Sequence, residues 1–363
     1  MNKTIYKSNI LNLKRVQTSV NRNLFKGLNL DRNERVDLFS EKIQKEIRSK
    51  LSKHIFNVTP DISSLYKNLA RYLKIKVFNI YLTQGITEAI FQILFSYTKK
   101  NDEVIILDET YPMYKILCQL RDVNYKTWSF RKNLELNLND LEKIITKRTK
   151  IVFLVNPNLP IEYEFNSRFK NEIYKICKKK KILLVYDEAY YHFGSKTEIT
   201  NAIKKNNIFV LRTFSKAWSL PGIRLGYVIG TRKNIKYLSK CRSLVETNGF
   251  SFEIANWALK NDKIMHDHIK LVKEGYNYLM KKLKNLKINF YGGRVTNAIL
   301  IDLKTKKNSL SLKNYLYKKN IYIRTGFNGP IKNCVRISLC SSKKLKKFFY
   351  YFSKWKHSLS FQL

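Results

Sequence analysis

Apolar residues recur at two different periods along this chain, and the order in which the periods appear outlines a fold. Residues 1–40 are polar and irregular and read as an arm. Over 61–73 the apolar positions Ile62, Leu65, Leu69 and Leu73 recur at helical spacing. A short strand over 80–82, a turn at Gly85 and a helix over 87–97 come next. Short apolar runs at 104–107, 151–155, 182–186, 208–211 and 225–229 then alternate with helical stretches. This alternation predicts an α/β fold, a mostly parallel sheet covered by helices on both faces. Near Gly249 the pattern changes to long helices over 254–286, then strands at 298–301 and 335–339 around a helix at 310–318. That part reads as a smaller α+β domain. The expected division is an N-terminal arm at 1–45 that joins the small domain, a large domain at 46–250 and a small domain at 251–363. The basic, aromatic stretch 343–355 is amphipathic and reads as a terminal helix packed on its own domain rather than lying on a membrane. No internal repeat is visible.

Composition narrows the class. The 363 residues are 44% hydrophobic and 13% aromatic, enough for a packed core. Lys+Arg 70 against Asp+Glu 27 gives a net charge of +43, which raises the question of a nucleic-acid partner. The lysines are spread along the whole length, and no basic segment carries a nucleic-acid module. The charge is read as compositional, in a chain rich in Asn, Ile, Tyr and Lys, as expected of an AT-rich genome. No specific nucleic acid is expected, only non-specific polyanion binding at low salt. The five cysteines (Cys118, Cys177, Cys241, Cys334 and Cys340) lack paired or metal-type spacing, and His266 and His268 point to different helix faces. No metal is expected. No apolar run reaches membrane-spanning length and residues 1–22 hold no signal-peptide core, so the chain reads as cytoplasmic.

The chemistry concentrates around Lys216, in the run Thr213-Phe214-Ser215-Lys216-Ala217-Trp218-Ser219-Leu220-Pro221-Gly222-Ile223-Arg224. A lysine among small hydroxyl residues in an apolar segment can form a Schiff base with an aldehyde cofactor, while Thr213, Ser215 and Arg224 hold that cofactor's phosphate. The segment resembles the lysine segment of the pyridoxal-phosphate aminotransferases of the aspartate aminotransferase superfamily. Pyridoxal 5′-phosphate needs an acid at its pyridine nitrogen, and Asp187 ends an apolar strand 29 residues before Lys216. Three residues on, Tyr190 can donate to the phenolic oxygen, as in the family's Asp-x-Ala-Tyr segment. Tyr111, in Thr110-Tyr111-Pro112-Met113-Tyr114, is the candidate for stacking on the ring. Gly85-Ile86-Thr87 opens a helix after a strand, so the Ile86 and Thr87 N–H groups can face the phosphate. Arg336, on a late strand, offers a guanidinium fork for the substrate's carboxylate.

Within that superfamily the chain is most similar to histidinol-phosphate aminotransferases and threonine-phosphate decarboxylases, from Leu30-Asp31-Arg32-Asn33-Glu34 to about Ser341. The resemblance implies the pyridoxal-phosphate transferase fold of type I, with a seven-stranded sheet, and a homodimer with active sites at the subunit interface. It implies ping-pong transamination between an amino donor and a 2-oxo acid in amino-acid biosynthesis, with Asn33 beside the substrate. Three positions depart from the family. Asn156-Pro157-Asn158-Leu159-Pro160-Ile161-Glu162 stands where the family reads Asn-Pro-Asn-Asn-Pro-Thr-Gly, which puts Leu159 at the cofactor-touching asparagine and leaves Asn158 as a substitute. Thr59 stands where a tyrosine often reaches the partner's cofactor, and Arg35-Val36 replaces Asn-Pro. The alternatives are decarboxylation of a phosphorylated amino acid on the same scaffold, and a non-catalytic or nucleic-acid-binding protein.

Overall fold

The computed structural model describes residues 7–11, 13 and 27–360; the rest of the expected arm lies outside the described residues. Twelve strands are named in chain order: β1 (Leu28–Asn29), β2 (Ile80–Thr83), β3 (Glu103–Leu107), β4 (Asn124–Trp128), β5 (Thr149–Val155) and β6 (Leu183–Asp187), then β7 (Ile208–Thr213), β8 (Gly226–Ile229), β9 (Phe290–Gly292), β10 (Ala298–Asp302), β11 (Ile321–Tyr322) and β12 (Cys334–Ser338).

Seven strands form one sheet in the order β2-β8-β7-β6-β5-β3-β4. All neighbours are parallel except β8, which runs antiparallel to both β2 and β7. The apolar runs are continuous because both faces are covered, and strand alternation divides them cleanly. Ile105, Val152, Leu184 and Val210 enter one apolar cluster, while Val104, Phe153, Val185 and Leu211 enter the other. Sequence periodicity misses β4 because Asn124-Tyr125-Lys126-Thr127-Trp128 is a half-exposed edge strand with little apolar content. It also reads β8 only as one more run, without its reversed direction.

Strands β12-β10-β9 make a three-stranded antiparallel sheet, and β1 pairs in parallel with β11. The expected helical stretch 254–286 is two helices, Gly249–Lys260 and Lys263–Asn285, broken at Asn261-Asp262. The terminal helix Ser342–Ser360 buries Leu345, Phe348, Phe352 and Trp355 as it packs on Lys263–Asn285 and Lys306–Tyr317, so its apolar stripe faces protein. Gly275 permits the close approach: a Cβ there would lie 1.8 Å from the Cys340 carbonyl oxygen. No described helix is long and apolar enough to cross a membrane.

The strand order reverses between β3 and β5, so the loops leaving their carboxyl ends diverge and open a crevice there. Tyr111, Asn156, Asp187 and Lys216 all follow or end parallel strands at this edge.

Candidate active site

Asp187 ends β6 and is buried. Its Oδ1 accepts the Ala189 N–H at 3.0 Å and its Oδ2 accepts the Tyr114 hydroxyl at 2.8 Å. Burial pushes this carboxyl up to about 6; the two hydrogen bonds and the charge of Lys216 oppose the rise, and neighbouring Glu188 adds to it. Lys216 therefore faces the same space as Asp187. Its Nζ donates to the Asn33 carbonyl oxygen at 3.3 Å and lies 5.6 Å from the centroid of the Tyr190 ring. The Asn33 amide in turn donates to the Tyr190 hydroxyl at 3.1 Å.

The opposite end of the pocket is shaped for an anion. Asn137, Asn166, Thr231, Asn248 and Thr305 cap their helices through side chains, whereas Gly85 opens Ile86–Tyr97 without a side-chain cap. First-turn N–H groups have no intrahelical acceptor, so those of Ile86 and Thr87 remain open to a ligand. Gly85 has φ +83°, and a Cβ there would meet Arg224 Nη2 at 2.9 Å. The guanidinium thus lies directly over the helix entrance. The hydroxyls of Thr87 and Tyr111 are 3.0 Å apart. Thr213 shapes the turn more than it faces outward: its Oγ1 accepts the Ser215 N–H at 3.0 Å and donates to the Leu225 carbonyl at 3.3 Å.

Arg336 comes from β12 and forms an antiparallel bridge with Arg324. Its Nη2 donates to the Asp31 carbonyl at 2.6 Å, while its buried Nε finds no partner among the described residues. Burial, and then the charge of Arg324, lowers its guanidinium to about 10 against the pull of Tyr190. Asn33 joins the two sheets, since its N–H donates to Ser338 Oγ at 2.8 Å. Its Oδ1 is buried without a partner among the described residues.

Of the residues singled out from the sequence, these contacts bring Gly85, Thr87, Tyr111 and Arg224 together at one end of the crevice and Asp187, Tyr190, Lys216, Asn33 and Arg336 at the other, while Ile86 follows Gly85 and Ser215 precedes Lys216 in the chain. Asn158 is used differently. Both N–H groups of its amide are taken, by the carbonyls of Glu109 and Ile161 at 2.9 Å each, and its Oδ1 accepts Thr110 Oγ1 at 2.8 Å. It braces the Tyr111 loop and has no donor left for a ligand. Three contributors were missed. Tyr114, one helical turn beyond Tyr111, holds Asp187. Glu188 pairs with Arg212 at 2.8 Å, both fully buried, and the guanidinium offsets part of the negative charge that Glu188 places beside Asp187. Asn297 donates to the Asn33 carbonyl at 3.0 Å. Only Tyr114 carried a signal, its spacing from Tyr111.

Pyridoxal 5′-phosphate fits these residues. A buried carboxylate held by two donors suits a cationic ring nitrogen, the Gly85 entrance with Arg224 suits a phosphate, and Asn33 Oδ1 and Arg336 Nε are polar atoms awaiting partners.

The profile of the family "Aminotransferase class I and II" matches residues 23–350. The histidinol-phosphate aminotransferase of Pelagibacter ubique is 30% identical over 338 residues, covering 90% of this chain and 91% of its own. That of Methanocaldococcus jannaschii is 29% identical over 320 residues, covering 85% and 84%. The crystal structure of the histidinol-phosphate aminotransferase from Sinorhizobium meliloti in complex with pyridoxal-5′-phosphate superposes with a TM-score of 0.88 over 98% of each chain, at 20% identity. An aspartate aminotransferase from Thermotoga maritima gives 0.77 at 21% identity, covering 91% and 92%. These two likenesses fix the fold, and the match across residues 23–350 fixes the family: the chain belongs to the class I and II aminotransferases, enzymes that move an amino group by means of pyridoxal 5′-phosphate.

Proposed function

We propose that this transaminase takes its amino group from a donor with a phosphate-bearing tail, of the histidinol phosphate kind, and passes it to a 2-oxo acid. The observation that carries this reading is the pair Arg324 and Arg336. They face each other across a backbone bridge (N–H to carbonyl 3.0 and 2.8 Å) close to Tyr190 and Asn33. Two guanidiniums close enough that the charge of Arg324 lowers Arg336 suit a dianion better than a single carboxylate. The relatives at about 30% identity carry the same substrate in their names, which speaks against the decarboxylase alternative.

Bound pyridoxal 5′-phosphate supplies an electron-withdrawing ring that weakens the Cα–H bond of the amino acid it holds. The chain's residues do the rest in this reading. Asp187 keeps the ring nitrogen protonated, with Tyr114 holding its carboxylate. Gly85, Ile86, Thr87, Ser215 and Arg224 hold the phosphate, with Thr213 shaping the turn, and Tyr111 covers the ring. The Lys216 amine, resting on the Asn33 carbonyl, takes the Cα proton and carries it. Arg336 and Arg324 orient the substrate by its anionic end, and Tyr190 with Asn33 lines the space between.

The chain divides, in this proposal, into a large domain at 46–250 and a small one built from 251–363 and the arm; the β1–β11 pairing supports that return of the arm. A homodimer is supported by the exposed Phe56, Val58 and Leu244, with Phe250 edge-on to Phe56 at 5.5 Å between ring centroids, around exposed Thr59. The five free cysteines suit a reducing cytoplasm.

The test is a single-turnover panel on the pyridoxal-loaded protein, followed by cofactor absorbance. Histidinol phosphate should convert the cofactor to its amine form at least about tenfold faster than histidinol or phenylalanine, since losing a bidentate charged contact costs about 1.4 kcal/mol or more. Lys216→Ala should abolish conversion. Equal rates with histidinol and its phosphate would refute the assignment of the two arginines.

A further inference from the structure

We infer that Glu162 is a positioning residue whose carboxylate clasps the loop before β10 and holds the substrate-side wall of the pocket in place before any substrate arrives. Glu162 stands where the resembled segment ends in glycine, so this contact is a feature of the present chain.

The geometry is specific. Glu162 Oε2 accepts the N–H of Gly293 at 2.9 Å, the N–H of Val295 at 3.1 Å and the Thr296 hydroxyl at 2.6 Å. Oε1 accepts the N–H of Arg294 at 3.1 Å. Gly292 and Gly293, at φ +82° and +86°, turn successive N–H groups toward one point, a concavity that suits an anion. Here the protein supplies the anion itself. A Cβ at Gly292 would come within 3.0 Å of Glu162 Cβ, so the two segments are packed as well as bonded.

Both ends of the clasp lead to the pocket. On one side, the segment carrying Glu162 is braced by Asn158, whose amide holds the Ile161 and Glu109 carbonyls and whose Oδ1 holds Thr110, next to Tyr111. On the other side, the clasped loop runs straight into Asn297, whose amide donates to the Asn33 carbonyl at 3.0 Å. That carbonyl is also where Lys216 Nζ rests. A continuous hydrogen-bonded girdle therefore runs from the Tyr111 loop through Asn158, Glu162, the 293–297 loop and Asn33 to Lys216 and Tyr190. Glu162 is the link by which the two sheets' loops are joined in it. Removing its carboxylate leaves three N–H donors seeking water, leaves the Thr296 hydroxyl only the Ala298 carbonyl at 3.3 Å, and frees Asn297, Asn33 and, with them, the β10–β12 layer that carries Arg336.

The experiment compares the pyridoxal-loaded wild type with Glu162→Ala and Glu162→Gln, by hydrogen exchange and by steady-state kinetics. In the substrate-free wild type, the amides of residues 293–295 should be protected, and Glu162→Ala should speed their exchange by about tenfold or more. The Michaelis constants for donor and acceptor should each rise about tenfold with kcat within about threefold, because substrate binding must now include ordering of the wall. Glu162→Gln, which keeps one carbonyl acceptor, should recover part of both effects. Fast exchange at 293–295 in the wild type, or unchanged exchange in Glu162→Ala, overturns the clasp. Faster exchange with unchanged Michaelis constants overturns its positioning role. Should Glu162→Ala fail to fold, Thr296→Val removes only the hydroxyl donor; about threefold effects in the same directions are expected, and none would overturn the inference. The kinetic arm rests on the transaminase reading and the exchange arm does not, so a wild type inactive on every donor would count against that reading alone.

Discussion

Replacing Tyr114 by phenylalanine removes the hydrogen bond that most favours the ionised form of Asp187. The hydroxyl donates to Oδ2 at 2.8 Å and is the largest of the effects opposing burial, which drives the carboxyl upward with a smaller push from Glu188. Tyr114 is itself buried, and burial beside Asp187 raises its own phenol well above the usual range, so it remains a neutral donor throughout. A hydrogen bond to a charged acceptor contributes about 1.5–3 kcal/mol, and one pH unit corresponds to about 1.4 kcal/mol. The Asp187 midpoint in the cofactor-free protein should therefore move from about 6 upward by about one to two pH units. Only the ionised carboxylate pairs with a cationic ring nitrogen. Near pH 7 the variant must thus give up a proton that the wild type has already lost, and its affinity for pyridoxal 5′-phosphate should fall about two- to tenfold. The deficit should widen as the pH falls toward 6 and fade above about pH 8.5. The assay is a fluorescence titration of cofactor-free protein with pyridoxal 5′-phosphate at several pH values, taking the wild-type-to-variant ratio at each. That ratio cancels every pH dependence the two proteins share. A ratio independent of pH would refute the argument, since lost packing alone has no reason to titrate.

Three further outcomes are expected. Gly85→Ala places a methyl 2.9 Å from Arg224 Nη2 at φ +83°, and cofactor affinity should fall by about tenfold in the same titration. Glu188→Ala leaves the buried Arg212 guanidinium without its carboxylate and should cost about 3–5 kcal/mol in denaturant unfolding, far more than an exposed pair such as Lys263–Asp267. His268 is buried, neither ring nitrogen has a partner among the described residues, and burial, aided by the Arg35 charge, lowers it to about 3. The unfolded chain then takes up a proton that the native state refuses between about pH 6.5 and 3, so stability falls as pH drops through that window. His268→Leu should recover roughly 2 kcal/mol near pH 5 relative to neutral pH; no difference in acid sensitivity would contradict this account.

What was legible in the sequence divides along physical lines. Doubly covered strands announce themselves as continuous apolar runs, so β3, β5, β6 and β7 were visible. The edge strand β4 was not, because solvent lets its residues be polar. Lys216, Asp187 and Arg224 were legible because their chemistry depends on neighbours close in the chain. Tyr114 reaches Asp187 across 73 positions, and Glu162 reaches the 293–296 loop across more than 130. In a chain with 23 tyrosines, the short spacing from Tyr111 is the one local cue that sets Tyr114 apart from a tyrosine that fills the core. Asn158 shows the converse limit: spacing put it beside the right loop, but the direction of its amide depends on Glu109 and Ile161, which sequence does not show.

The antiparallel strand β8 has a consequence for how the reactive groups move. Thr213 pairs with Gly226, and the Phe214 N–H donates to the Leu225 carbonyl at 3.1 Å, so the chain between them leaves the sheet and returns to the same spot. Lys216 and Arg224 both ride on this closed lariat. A tilt of its stem would carry the amine and the anion-gripping guanidinium together, like two teeth of one key. Inside the loop, the Leu220 N–H donates to the Phe214 carbonyl and the Ser219 N–H to the Lys216 carbonyl, each at 3.0 Å, so the bow is braced against its own base.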